Sequence, residues 1–250
     1  MTVRGDHIDT YAGNAGFWVT IIREQLDRYR IELTDPAVLA AVGDCAGHRI
    51  LDGGCGEGYM SRALAARGAT VTGLDISDSL IDAARSHELA AKLDVTYYVA
   101  SLEKIPEADC TFDVAVCNHV ISDVVDPRGA FKELGRIIKP GGRLVILMLH
   151  PCFYTAHSER DPHGNLPVTD YFSARRVDQT FKVAGLVSPD EVHMMFRPLE
   201  FYISAIVDAR FSVVGLTEPH PSAEVLREDE WWRTNFVKPL FMLISAARSC

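Results

Sequence analysis

The stretch Ile50-Leu51-Asp52-Gly53-Gly54-Cys55-Gly56-Glu57-Gly58 decides how this chain is read. Its apolar start closes a strand over residues 49–52. Behind it, residues 59–67 carry Met60, Ala63, Leu64 and Arg67 at helical spacing, and Gly68 ends that helix. Glycines between a strand and a helix let the backbone turn tightly and approach a ligand with no Cβ in the way. The free amides at the helix N-terminus then face that ligand. The spacing is Gly-x-Gly-x-Gly and not the Gly-x-Gly-x-x-Gly of dinucleotide-binding enzymes. Asp52 sharpens the contrast, because a carboxylate just before the glycines repels a pyrophosphate and suits a ligand carrying an ammonium group.

The next informative run is Gly73-Leu74-Asp75-Ile76-Ser77. Asp75 ends a second strand over residues 70–75, where an acid can accept both hydroxyls of a ribose. The site therefore asks for a ribose and a cation and offers no phosphate cradle.

Outward from these runs, strand and helix alternate. Ser77-Asp78 caps a helix reaching to His87, and residues 95–99 and 112–117 read as the third and fourth strands. Residues 127–138 read as a helix stopped by Lys139-Pro140-Gly141-Gly142. Residues 143–149, apolar almost throughout, read as a fifth strand buried on both faces. Such alternation implies a parallel sheet with helices on both sides, closed by right-handed crossovers. After Leu149 the rhythm breaks. Residues 151–197 are expected to form a cap over the carboxyl ends of the strands, where such sheets bind ligands. A helix over 199–209 and strands over 212–216 and 240–246 follow. Residues 1–40 are expected to be helical and to cover the same site. The division is thus an N-terminal helical cover (1–40), a cofactor-binding core (41–150), a substrate cap (151–197) and a C-terminal helix with strands (198–250), all within one domain.

In this order the runs resemble class I S-adenosylmethionine-dependent methyltransferases of the small-molecule type. Residues 51–58 are similar to the family's first motif, and Asp75 matches its ribose acid. Ala100-Ser101-Leu102-Glu103-Lys104-Ile105-Pro106 is similar to the segment after its third strand. Residues 112–120, with Asn118 and His119, match its fourth strand and loop, and residues 134–142 match the turn before its fifth. Together they cover residues 49–149. The resemblance implies an α/β fold with a doubly wound, seven-stranded, mostly parallel sheet whose last strand is antiparallel. It also implies S-adenosyl-L-methionine as cofactor and S-adenosyl-L-homocysteine as product. The cofactor residues it implies are Asp52, Gly54, Cys55, Gly56, Gly58, Asp75, Ile76, Ser101, Leu102, Asn118 and His119. Ser101 departs from the family's pattern, which has an Asp that meets the adenine amino group. A hydroxyl accepts a weaker hydrogen bond than a carboxylate.

Methyl transfer needs alignment and water exclusion more than acid–base help, so no universal catalytic residue is expected. His119 after strand four and His150 at the end of strand five are the candidates for a base; each could equally be tied to backbone. Tyr11, Trp18, Asp123, His150, Phe153 and Tyr154 are the candidates for contacting the acceptor. Asp123 could instead be a helix cap, and the aromatics, Phe17, Tyr171 and Phe172 among them, could instead be a satellite core under the cap. His157, His163 and His193 read as surface residues of a polar excursion. Glu228-Asp229-Glu230 reads as a solvated acidic turn, with Trp231 and Trp232 packing the last strand or forming a contact surface.

Composition narrows the partners. With 25 basic and 34 acidic residues the formal charge is −9, so a nucleic-acid substrate is disfavoured; the short clusters Arg175-Arg176 and Lys139 with Arg143 are the places where one would bind. No apolar run approaches the roughly 18 residues of a membrane span, and no leader is read at the N-terminus. The cysteines (45, 55, 110, 117, 152 and 250) form no Cys-x-x-Cys pair and read as reduced thiols of a cytoplasmic protein. No metal site is expected, and a homodimer is compatible with the sequence. The function expected is methylation of an oxygen or nitrogen, or of a carbon, of a small metabolite in biosynthesis. The alternatives are a tRNA or protein methyltransferase and a non-catalytic cofactor-binding subunit.

Overall fold

The computed structural model describes residues 4–155 and 170–249, with side chains from Tyr11 onward. Helix α1 (Arg4–Arg23), a π-helical turn (Arg30–Thr34) and α2 (Asp35–Val42) precede the sheet. The alternating core follows: β1 (Arg49–Gly53), α3 (Tyr59–Ala65), β2 (Thr70–Asp75), α4 (Asp78–Ala91), β3 (Thr96–Val99), β4 (Phe112–Asn118), α5 (Pro127–Ile137) and β5 (Ile138–Leu149). Four short strands come next, β6 (Arg175–Gln179), β7 (Lys182–Val183), β8 (Leu186–Val187) and β9 (Val192–Phe196). The chain ends with α6 (Leu199–Asp208), β10 (Phe211–Thr217), α7 (Ala223–Glu228), α8 (Glu230–Asn235) and β11 (Phe241–Arg248).

Seven strands form one sheet in the order β10-β11-β5-β4-β1-β2-β3. The neighbours β1–β2, β2–β3, β1–β4 and β4–β5 are parallel, while β11 runs antiparallel to both β5 and β10. From β1 the chain winds outward through β2 and β3, then returns to start β4 on the other side of β1. That reversal opens a crevice at the carboxyl ends of β1 and β4, where open α/β sheets take their ligands.

The apolar run of β5 is explained by burial on both faces. Leu144, Ile146 and Met148 join one core cluster, and Val145 and Leu147 join the other. Helix α5 begins at Asp126, whose carboxylate accepts the Gly129 amide at 3.0 Å, with Pro127 in the first turn. Helix α4 begins at Ser77, whose hydroxyl accepts the Leu80 amide.

Two elements differ from the sequence reading. The Lys139-Pro140-Gly141-Gly142 turn is a bulge inside β5: Ile138 already pairs with Phe112, and the register resumes at Arg143 opposite Val114. The described part of the cap segment carries two small antiparallel ribbons, β6–β9 and β7–β8. Val192, Met194 and Phe196 alternate inward along β9, a period-two signal hidden because its partner β6 has one apolar residue, Val177. Helix α1 is tied to this cap through Asn14, whose side-chain amide donates to the Asp190 carbonyl and accepts the Asp190 amide, both at 3.0 Å.

Candidate active site

The glycine loop is anchored to the end of β2. The amides of Gly54 and Cys55 both donate to the Leu74 carbonyl, at 2.8 and 2.9 Å. Asp75 accepts the Gly56 amide on Oδ2 and the Ser77 amide on Oδ1, each at 2.9 Å. Burial raises the Asp75 carboxyl, and these amides pull it back toward ionisation. Gly56 has φ +55°, and a Cβ there would meet nothing within 4 Å, so the loop presents bare backbone to open space. Gly58 has φ +83°, and a Cβ there would run into the Tyr97 ring. Between them Glu57 points inward, fully buried, and pairs with Arg62 at 2.6 Å and Arg23 at 3.2 Å.

Asp52 and Gly58 lie behind the loop rather than on the cavity surface. The Ser61 hydroxyl donates to Asp52 Oδ2 at 2.6 Å, while Oδ1 is shut off from solvent with no partner among the described residues. Burial first, and the nearby Asp75 carboxylate after it, push Asp52 up to about 6.

In front of the loop lies a cavity of about 770 Å³. At one end it is lined by Asp75, Ile76, Ser101 and Leu102. The Ser101 hydroxyl accepts the Glu103 amide at 3.1 Å, which leaves its O–H free to donate. Asn118, named from the sequence, sits in a polar cluster whose other members, Tyr59, Asp35 and Arg30, sequence reasoning missed. Asn118 donates to the Tyr59 hydroxyl at 2.7 Å, which donates to Asp35 Oδ1 at 3.1 Å. Arg30 reaches Asp35 Oδ2 at 3.0 Å and stacks over the Tyr59 ring at 4.5 Å. Its Nε is buried with no partner among the described residues. Burial, opposed by Arg30, raises Asp35 to about 6. No motif flags this cluster; the start of a helix at Asp35-Pro36 is the only local signal.

The cavity also includes a largely apolar chamber lined by Tyr11, Trp18, Tyr154, Phe181, Val192 and Met194, near enough to Asp75 for its charge to act on Tyr11. Trp18 meets Phe181 edge to face at 5.1 Å. Several of these residues also build a small core with Val177 and Phe196, so the satellite-core reading and the chamber reading describe the same side chains. Asp123 lines the chamber and caps no helix; that task falls to Asp126. The Tyr11 hydroxyl donates to Asp123 Oδ2 at 2.6 Å.

His119 lines the cavity at φ +59°, a left-handed conformation uncommon outside glycine, with its ring 5.6 Å from that of Phe241. Burial, with Arg30 adding to it, lowers its pKa to about 4, so the imidazole is neutral at physiological pH. His150 is held elsewhere: its Nδ1 accepts the Cys152 amide at 3.2 Å and its Nε2 lies 3.0 Å from Glu218, so both nitrogens are engaged away from the cavity lining. Phe153 packs on the His150 ring at 4.7 Å and is likewise off the cavity lining. Phe172 is exposed, and the Tyr171 hydroxyl accepts the Leu199 amide. His193 faces Asp178 across the β6–β9 ribbon at 2.7 Å, and His157 and His163 lie outside the described residues. Asp229 is no idle acid, because it caps α8 and pairs with Arg28 at 2.7 Å. Trp231 lines the cavity beside Tyr29, and Trp232 is buried against β11. In the two basic clusters, Lys139 pairs with Asp113 and Arg176 with Asp178, both at 2.6 Å.

Residues 51–146 match the family described as a methyltransferase domain. It is 41% identical over 98 residues to the ubiquinone biosynthesis O-methyltransferase of Coxiella burnetii (strain RSA 493 / Nine Mile phase I), covering 39% of this chain and 42% of that one. It is 33% identical over 144 residues to the protein of the same name from Xanthomonas oryzae pv. oryzae (strain PXO99A), covering 57% and 60%. The chain thus spans roughly half the length of the curated relatives it matches. Among solved structures, an S-adenosylmethionine-dependent methyltransferase from Mesorhizobium loti superposes with a TM-score of 0.70 at 24% identity, covering 85% of this chain and 96% of that one. Among the described residues no helix is long and apolar enough to cross a membrane.

Proposed function

We propose that the protein transfers a methyl group from S-adenosylmethionine to an oxygen of a small metabolite with a flat, apolar body. The observation that carries this reading is the single cavity that joins the glycine loop and Asp75 to the aromatic chamber. Residues of the β1–β2 and β3–β4 region supply the first part, and Tyr11 and Trp18 of α1 with Tyr154, Phe181, Val192 and Met194 wall the second. Oxygen is favoured over nitrogen by the relatives, which are O-methyltransferases by name.

The residues present fit the cofactor. Asp75 retains lone pairs for the ribose hydroxyls beyond the two amides it accepts, and the bare backbone at Gly56 gives room for close approach. Asn118 and the unpartnered Nε of Arg30 suit the ammonium-and-carboxylate end of the ligand. Bound there, the cofactor supplies a methyl group on a sulfonium, already activated for displacement. The protein's own part is to hold the acceptor oxygen in line and keep water out, which the apolar walls of Trp18, Phe181, Val192 and Met194 do. His119, neutral and facing the cavity, acts as a hydrogen-bonding group rather than a charge.

The test is turnover. The protein, S-adenosylmethionine and a panel of hydroxylated aromatic compounds, with amine and thiol counterparts, should yield S-adenosylhomocysteine and O-methyl products by mass spectrometry. Methylation confined to amines or thiols would overturn the assignment to oxygen.

A further inference from the structure

We infer that Asp123, held in place by Tyr11, is the base that takes the proton from the acceptor's hydroxyl; this rests on the methyltransferase reading above. Asp123 carries one satisfied and one unsatisfied oxygen. Oδ2 is fixed by the Tyr11 hydroxyl at 2.6 Å, and Oδ1 is shut off from solvent with no partner among the described residues. Trp18 is the matching case on the donor side, with its indole Nε1 buried and unpartnered. Tyr11 and Trp18 stand seven residues apart on α1, two helical turns along one face, and both line the chamber with Asp123. Helix α1 therefore places one donor to orient the carboxylate and leaves a second for a ligand.

Buried polar groups without partners are disfavoured unless a ligand completes them. An aromatic hydroxyl compound does so. Its O–H donates to Asp123 Oδ1, its lone pairs or ring face can meet the Trp18 N–H, and its ring lies against Phe181 and Met194.

The other candidates for the base are weaker. His150 has both nitrogens engaged outside the cavity. His119 is held neutral with a pKa of about 4 and is a poor proton acceptor near neutrality. Asp123 is raised to about 7, chiefly by burial. The groups facing it are Tyr11 from α1, Asp75 from the end of β2, the neighbouring Ser122 hydroxyl and Tyr202 from α6. Tyr11 and Ser122 pull its pKa down by hydrogen bonding, and Asp75 pushes it up by charge.

The step balances. Asp123 Oδ1 receives the hydroxyl proton as the O–H bond breaks. The oxygen's electron pair forms the new bond to the methyl carbon, and the carbon–sulfur bond breaks with its pair left on sulfur as a neutral thioether. Asp123 returns the proton to water when the product leaves.

The test compares two probes, catechol, whose hydroxyl needs a base, and 4-nitrophenol, which ionises by itself at alkaline pH. Asp123→Asn keeps the shape and removes the base. Turnover of catechol should fall by roughly 10²–10⁴-fold, whereas 4-nitrophenol at pH ~9 should lose far less, and S-adenosylhomocysteine affinity should stay unchanged. Tyr11→Phe should move the acid limb of the catechol profile to higher pH, because Asp123 loses the hydrogen bond that lowers its pKa and must be deprotonated to act. Equal losses on the two probes, catechol turnover near normal in Asp123→Asn, or weakened S-adenosylhomocysteine binding would each overturn the inference. Wild-type protein that binds S-adenosylhomocysteine but methylates neither probe would overturn it too, while leaving the methyltransferase reading standing. Failure to bind S-adenosylhomocysteine at all would remove that reading instead.

Discussion

Asp75 accepts the backbone amide of Gly56 at 2.9 Å, so the end of β2 and the crest of the glycine loop form one unit. The same carboxylate that is to hold the ribose also holds the loop that approaches the rest of the nucleoside. Asp75→Ala should therefore weaken S-adenosylmethionine binding by on the order of 2–4 kcal/mol, the loss of two charge-assisted hydrogen bonds. Calorimetric titration of the variant checks it, and unchanged affinity would remove Asp75 from the ribose site.

Arg30 gives a sharper test of where the amino-acid end of the ligand lies. Arg30→Gln removes the guanidinium whose Nε is left unpartnered beside Tyr59. S-adenosylhomocysteine should bind more weakly, by about 1.5–3 kcal/mol for a lost hydrogen bond to a charged group. Adenosine, which has no carboxylate, should bind the variant as it binds the parent. Equal losses for both ligands would mean that Arg30 acts only by packing on Tyr59.

Stability should depend on pH in a direction set by burial. Asp35 and Asp52 are raised to about 6 and Asp123 to about 7, against roughly 4 for an unfolded Asp. The folded state then binds more protons than the unfolded one between those values. Their contribution is fully present below the unfolded pKa and is lost as pH rises through the folded ones. Asp113, Asp178 and Glu133 are lowered instead, so their contribution is lost only on further acidification. The ligand-free protein should melt highest near pH ~5 and progressively lower toward pH ~8, and Asp123→Asn should flatten the slope. A melting temperature that climbs steadily from pH ~5 to pH ~8 would contradict this.

His150 is expected to be structural. It bridges the Cys152 amide and Glu218 at the point where the chain leaves β5, and its own amide donates to the Leu240 carbonyl at 2.8 Å. His150→Ala should lose about 1–3 kcal/mol of stability, from removing a buried ring and the acceptor of the Cys152 amide, with turnover per folded molecule near normal. Loss of turnover without loss of stability would return His150 to the reaction.

The core was legible because its signals are local. Gly54, Gly56 and Gly58 at positive φ, Asp75 at a strand end and an apolar β5 each write a backbone requirement into a short run of sequence. The aromatic chamber was legible only as a set of residue types. Tyr11 and Trp18 were singled out, yet the contact of Tyr11 with Asp123 spans 112 positions and no periodicity reports it. The gathering of Arg30, Asp35 and Tyr59 around Asn118 was invisible for the same reason, since four elements must pack before those side chains meet. Where the chain leaves β5 no pattern in the sequence reports which side chain turns which way: His150 and Phe153 lie off the cavity lining, whereas Tyr154 faces it.

The most direct measurement is calorimetric titration of the purified protein with S-adenosylmethionine and S-adenosylhomocysteine, with NAD as control. The account expects micromolar-range binding of the first two and none of NAD. Absence of binding by both sulfur ligands, or binding of NAD in their place, would contradict it.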